Sequence, residues 1–210
     1  MRATFRVVDD IQVKSNVFIT ARERGKIVAR REGHNIFVDY GREWLTKLMS
    51  YLSFSPDVVE TDARIRYMGF GIGGTRQIAP AFADTAPLTD YTPVGSFTQT
   101  DTDPTVVGLE RPVRVSGGSG APTSGDLWVG QVQAPVTHDT PTSATFRRLF
   151  VSEEVSYAPY SSVPLSEVGL FLSDVPPNFR NNNVVAYDTF DTLSKTLAFE
   201  LEVVWTLRIG

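Results

Sequence analysis

Two glutamates in apolar surroundings are the residues best placed to do chemistry: Glu110, in Gly108-Leu109-Glu110-Arg111, and Glu167, in Leu165-Ser166-Glu167-Val168-Gly169. A pair of carboxylates can serve as the acid and base of glycoside hydrolysis, so a glycan-binding or glycan-hydrolysing appendage is one reading. No run of residues around either glutamate marks a sugar subsite. The alternative is structural. A carboxylate among apolar side chains is costly unless it is paired and hydrogen-bonded. Each is therefore expected to be ionised and partnered by an arginine such as Arg111, Arg147 or Arg148, fixing strand register.

The remaining motifs fail on context. Gly69-Phe70-Gly71-Ile72-Gly73-Gly74 contains a formal G-x-G-x-x-G. A dinucleotide loop must open a helix whose N-terminal amides hold the pyrophosphate. Here Thr75-Arg76-Gln77-Ile78-Ala79-Pro80 follows, without an amphipathic period. The glycines instead suit a strand end closely approached by another backbone. Gly117-Gly118-Ser119-Gly120-Ala121 approaches G-x-S-x-G but ends in alanine, in a loop-like stretch rather than between a strand and a helix. His34 and His138 have no second ligand at metal spacing and read as hydrogen-bonded structural residues. Asp101-Thr102-Asp103-Pro104 reads as a turn rather than a cation loop. No catalytic, cofactor-binding or metal-binding residue is expected.

Composition narrows the classes further. The 210 residues hold no cysteine and two histidines, which removes disulfide scaffolds, Cys-ligated zinc and thiol catalysis. No run of about 18 apolar residues is present, so no membrane span is expected. The N-terminus, Met1-Arg2-Ala3-Thr4-Phe5-Arg6, lacks a signal-peptide apolar core, which predicts synthesis and assembly in the cytoplasm. Net charge is −4, unevenly spread: residues 1–31 carry eight Lys/Arg against three Asp/Glu, and residues 77–145 two against seven. The basic residues alternate with apolar ones and no aromatics interleave them as a stacking platform. They read as a solvated strand face, with no sequence-specific nucleic-acid contact. Opposite local charges on one chain also suit contact between copies.

Elements that would position these residues are mostly strands. From Lys195 to Ile209 every odd position from Leu197 onward is apolar: Leu197, Phe199, Leu201, Val203, Trp205, Leu207, Ile209. Period two predicts a strand with its odd face in the core. At about 3.3 Å per residue it would run roughly 50 Å, so it crosses a large sheet, bends or reaches a neighbour. Phe199 and Trp205 are the expected anchors. Shorter strands are expected at Ala3–Val8, Asn16–Arg22, Lys26–Arg31, Arg64–Phe70, Leu109–Val115, Leu127–Gln133, Ala144–Val151, Leu165–Leu172 and Val184–Phe190, with a hairpin around Arg24-Gly25. One helix begins at Asp39, with Trp44, Leu45, Leu48, Met49 and Leu52 on one face, and is stopped by Pro56. The expected fold is a mainly β, antiparallel β-sandwich or barrel with one packed α-helix, as a single domain over residues 1–210 with a long loop insertion around 75–104.

The order of segments carries a resemblance. Gly33-His34-Asn35-Ile36-Phe37-Val38-Asp39 leads into the helix. Tyr67-Met68-Gly69-Phe70-Gly71-Ile72-Gly73-Gly74-Thr75 follows, then Leu109-Glu110-Arg111, then Leu165-Ser166-Glu167-Val168-Gly169-Leu170-Phe171. Ala186-Tyr187 and Lys195 precede the terminal strand. This outline, covering most of the chain, resembles structural proteins of tailed-bacteriophage virions: tail, baseplate, neck and decoration components. The resemblance implies a non-enzymatic virion subunit, most readily in the tail, baseplate or neck and alternatively on the capsid. It would act through other copies of itself and other virion proteins. It implies no catalytic residue and no cofactor. The acidic stretch at 75–104 departs from the compact outline.

Overall fold

The computed structural model describes residues 12–33, 36–50, 64–72, 109, 112–113, 115, 129–155, 162–172 and 184–210. The strand expected at Ala3–Val8, the loop insertion at 75–104 and the helix stop at Pro56 lie outside these residues, as do Glu110, Arg111 and His34. Nine strands and one helix are described: β1 Val13–Glu23, β2 Lys26–Gly33, β3 Ile36–Phe37, α1 Asp39–Ser50, β4 Ile65–Gly71, β5 Gly130–Gln131, β6 Ser143–Phe150, β7 Val163–Leu172, β8 Val184–Lys195 and β9 Glu200–Ile209. They form two antiparallel sheets, a four-stranded one in the order β2-β1-β9-β6 and a five-stranded one in the order β3-β8-β7-β4-β5. The architecture is a β-sandwich with one helix.

The hairpin between β1 and β2 follows from its turn residues. Arg24 (φ 49°) and Gly25 (φ 79°) both take positive φ, as a two-residue turn matched to the twist of its strands demands. Glycine meets this at no steric cost. Arg31 then ties this edge of the first sheet to the second, donating from Nε to the Asp191 carbonyl at 3.0 Å and from Nη2 to the Thr192 carbonyl at 3.3 Å.

The helix starts one residue earlier in its hydrogen bonding than a capping Asp39 would require. The Arg42 amide donates to the Val38 carbonyl at 3.0 Å, and Asp39 is the first helical residue, where a carboxylate still favours the helix dipole. Trp44 and Leu45 turn toward the core. Gly41 lets the helix lie on β8, because a Cβ there would run into the Val185 carbonyl and crowd the Phe37 ring.

The largest departure from the expected strand map is at the C-terminus. The long alternating run from Lys195 to Ile209 is not one continuous strand. β8 ends at Lys195, residues 196–199 turn, and β9 begins at Glu200. Because β8 belongs to the five-stranded sheet and β9 to the four-stranded one, this turn is an arch from one layer to the other. Leu197, expected in the core, is 64% exposed on it. The Ala198 amide donates to the Thr196 side-chain oxygen at 3.1 Å, a local side-chain bond that offers the backbone an alternative to the ladder. Period two survives the break by coincidence of parity.

Within β9 the facing is as expected up to Leu207, but Ile209, an odd position expected in the core, is 40% exposed where the strand ends. Leu201, Val203, Trp205 and Leu207 are buried, while Glu200, Glu202, Val204 and Thr206 are half-buried and Arg208 is exposed. β9 is an inner strand of its sheet, between β1 (Val17 opposite Trp205) and β6 (Phe146 opposite Trp205). The core between the sheets joins these residues to Phe70, Phe150 and Phe190. The rings of Phe70 and Phe150, one from each sheet, meet edge-on at 5.2 Å.

The two sheets differ in how they are covered. All ten residues of β7 are buried, as are the first seven of β8. A second apolar cluster of Val38, Leu109, Val129, Phe171, Val184 and Tyr187 is distinct from the main core. By contrast, the face of the four-stranded sheet turned away from the core carries half-buried Phe18, Leu149, Val204 and Thr206 among Arg22, Arg30, Arg147, Glu200 and Glu202.

Candidate functional site

Glu167 lies on β7, opposite Gly71 of β4 on one side and Thr189 of β8 on the other. Its side chain is fully buried. Tyr187, two residues from Thr189 and so on the same face of β8, donates its hydroxyl to Glu167 Oε2 at 3.0 Å. Gly169, between Glu167 and Phe171, has no room for a side chain: a Cβ would stand 2.8 Å from the Phe171 ring. The glycine of E-x-G-L-F is thus a packing requirement. Of the arginines expected beside the two glutamates, Arg147 and Arg148 are on β6 in the other sheet, and Arg148 pairs with Glu154. Glu110 and Arg111 lie outside the described residues.

The glycine motif is a strand. Gly69 pairs with Gly169, Gly71 with Glu167, and Phe70 between them points into the core. A second backbone does run alongside: the Val113 amide donates to the Phe70 carbonyl at 2.8 Å, and Gly71 bridges Pro112. This is the close approach that the two glycines suggest, and it leaves no helix N-terminus at Gly69 or Gly71.

His138 is hydrogen-bonded, as expected. Its Nδ1 donates to the Ser143 carbonyl at 3.0 Å. It also borders an apolar pocket of about 230 Å³ at the end of the sandwich formed by Val13, Phe37, Ile65, Phe146 and Leu207. Among the described residues no group of three or more His, Asp or Glu is placed to hold a metal ion, and no helix is long and apolar enough to cross a membrane.

At the opposite end, in the arch, sits a residue that sequence reasoning passed over as a mere strand opener. Lys195 is fully buried. Its Nζ donates to the carbonyls of Ser152 at 2.8 Å and Thr196 at 2.7 Å, and lies 5.5 Å from the centre of the Phe199 ring. Burial pulls the ammonium down to about 8, against the attraction of Glu153 and then Glu154, which favours the charged form. Phe199 is buried as an anchor of this arch. One signal was available: Lys195 shares the odd parity of Leu193, Leu197 and Phe199, so a strand reading already places it on the core side.

Trp205 is the other anchor, fully buried, its indole Nε1 donating to Ser15 Oγ of β1 at 2.8 Å. Taken together, the buried polar groups tie strand to strand. Glu167 and Tyr187 join β7 to β8, Trp205 and Ser15 join β9 to β1, and Lys195 joins the arch to the loop after β6. Comparison with protein-family models, curated proteins and solved structures finds no match.

Proposed function

We propose that this chain is a non-enzymatic structural subunit of a tailed-phage virion, placed in the tail, baseplate or neck, and that it works by self-association and by docking to other virion proteins. The resemblance in segment order supplies the particle. What carries the mode of action is the unequal covering of the two sheets. The five-stranded sheet has its central strands buried on both faces, whereas the outward face of the four-stranded sheet mixes half-buried Phe18, Leu149 and Val204 with charges of both signs. Interfaces that form after folding have this mixed character, apolar patches within a polar surround. The segments behind the resemblance also do structural work: Gly69 against Gly169, Tyr187 on Glu167, Lys195 on two carbonyls.

The test is incorporation. Val204→Glu and Arg147→Glu alter the outward face without entering the core. Both variants are expected to fold with wild-type thermal stability and to be missing from assembled particles. Wild-type stoichiometry of both in particles refutes docking through this face. Location of the wild-type chain in the intact particle then separates the sites: a ring of copies around the tail axis supports the reading, and a capsid lattice position replaces it with a decoration role. Hydrolysis of peptidoglycan or capsular glycan by the purified chain, lost in Glu167→Gln, would overturn the non-enzymatic reading altogether.

A further inference from the structure

Three observations meet in five residues, Val151–Val155, the loop that follows β6. The first is the Lys195 ammonium, enclosed with no solvent contact and bonded to the loop through the Ser152 carbonyl. Enclosing a charge is costly even when its hydrogen bonds are made. The second is Val155, whose φ of 52° puts a β-branched residue in the left-handed region while its side chain is fully buried; such backbone is rare and strained. The third is the clasp that shuts the loop. Glu154 accepts from the Val151 amide at 2.9 Å through Oε2 and from Arg148 Nη2 through Oε1, and the Val155 amide donates to the Val115 carbonyl at 3.3 Å.

We propose that Val151–Val155 is a latch, closed over Lys195 by the Arg148–Glu154 clasp and by the burial of Val155, which opens as a unit and releases the Lys195 ammonium to water while both sheets stay intact. The closed state holds two unfavourable features, an enclosed charge and a left-handed valine, that opening relieves together. Strain of this kind persists only where the surroundings enforce it. The enforcement here is the Glu154–Arg148 clasp, the burial of the Val155 side chain in the core and its amide bond to the Val115 carbonyl. The device is independent of the docking face, which lies on the outward side of the sheet rather than at its end.

The direction of its pH response follows from linkage. In the open loop Lys195 is in water and binds its proton with ordinary affinity; in the closed loop burial weakens that affinity. The groups facing it among the described residues are Glu153 and Glu154 from the loop, with Arg148 behind Glu154, and the Phe199 ring and Thr196 carbonyl from the arch. Protons therefore favour the open loop. The latch is loosest below about pH 8 and tightens as pH rises toward the ordinary lysine range near 10.5.

Hydrogen exchange on the full chain, read at the 152–155 amides and at the 201–207 amides of β9 and corrected for intrinsic rates, tests this. Loop protection is expected to rise about tenfold or more between pH 7.5 and 9.5, with β9 unchanged. Arg148→Met is expected to lower loop protection severalfold, again with β9 unchanged. Lys195→Met is expected to abolish the pH response. Should that variant fail to fold, amine acylation of wild-type Lys195 replaces it, expected to outpace β9 exchange. Loop protection that is flat with pH, or Lys195 labelling no faster than β9 exchange, overturns the proposal.

Discussion

Cutting the hydrogen bond between Trp205 and Ser15 tests the central claim about β9, that its odd face and its register against β1 hold the first sheet together. Trp205 is fully buried between Val17 and Phe146 on its neighbouring strands, and its one polar atom donates to Ser15 at 2.8 Å. Trp205→Ala should cost about 3–5 kcal/mol, the transfer of a large ring plus the cavity it leaves. Trp205→Phe keeps an aromatic ring but removes the donor. Ser15→Ala does the reverse, leaving the buried N–H without this acceptor, at about 1–3 kcal/mol. Ser15 makes a further interaction of its own, so only the double mutant isolates the pair. Combining Trp205→Phe with Ser15→Ala should be milder than the sum of the singles by about 0.5–1.5 kcal/mol. On the even face, Glu200→Ala should stay within about 0.5 kcal/mol. Glu202→Ala loses a half-exposed pair with Arg22 at 3.3 Å, worth at most about 1 kcal/mol. Equilibrium unfolding in urea, followed by circular dichroism, measures all six. Strict additivity of the Trp205 and Ser15 variants would refute the register, and even-face losses as large as Trp205→Ala would refute the facing.

Gly41→Ala should lower stability by about 1–3 kcal/mol, because the new methyl group is driven against the backbone of β8; thermal unfolding reads it directly, and a neutral result means the helix does not lie on β8. Tyr187→Phe removes only a hydroxyl, yet should cost about 1–3 kcal/mol by withdrawing the bond to a buried carboxylate, whereas a wild-type melting curve would mean that Glu167 does not need it. Leu197→Ser should be tolerated within about 0.5 kcal/mol on the exposed arch, while Leu201→Ser, four residues on, should unfold or strongly destabilise the chain; equal effects would restore a single unbroken strand.

The parity of apolar residues read strand faces correctly but could not read where strands end. The facing of Leu201, Val203, Trp205 and Leu207 was legible because alternation is a property of each strand by itself. The arch at 196–199 was not, because Leu197 and Phe199 keep the parity of both flanking strands, and only tertiary pairing decides that β8 and β9 join different sheets. Gly69 and Gly71 were legible as a close-packed strand end, since their surroundings offered no helix. Tyr187 was overlooked as a partner of Glu167 because the two meet only through the pairing of β7 with β8. Lys195 was legible in principle. Its odd parity outweighs its charge, and its neutralising contacts are backbone carbonyls, which no residue pattern announces.

The pairing of β9 sets a schedule for how this fold can form. β9 is an inner strand of its sheet, and it is the last of the described strands to be synthesised. Its partner β1 is the first, so Trp205 meets a serine 190 residues away and Glu202 an arginine 180 residues away. Until β9 emerges, the β1–β2 hairpin and β6 have no ladder between them, and the inner face of the five-stranded sheet lacks its opposing layer. A nascent chain therefore carries exposed apolar strands through most of its synthesis. Closing contacts of such sequence separation is slow, and partly assembled sheets of this kind are aggregation-prone. Yield from expression should thus respond to chaperone supply and to lower growth temperature more than the stability of the finished fold would suggest.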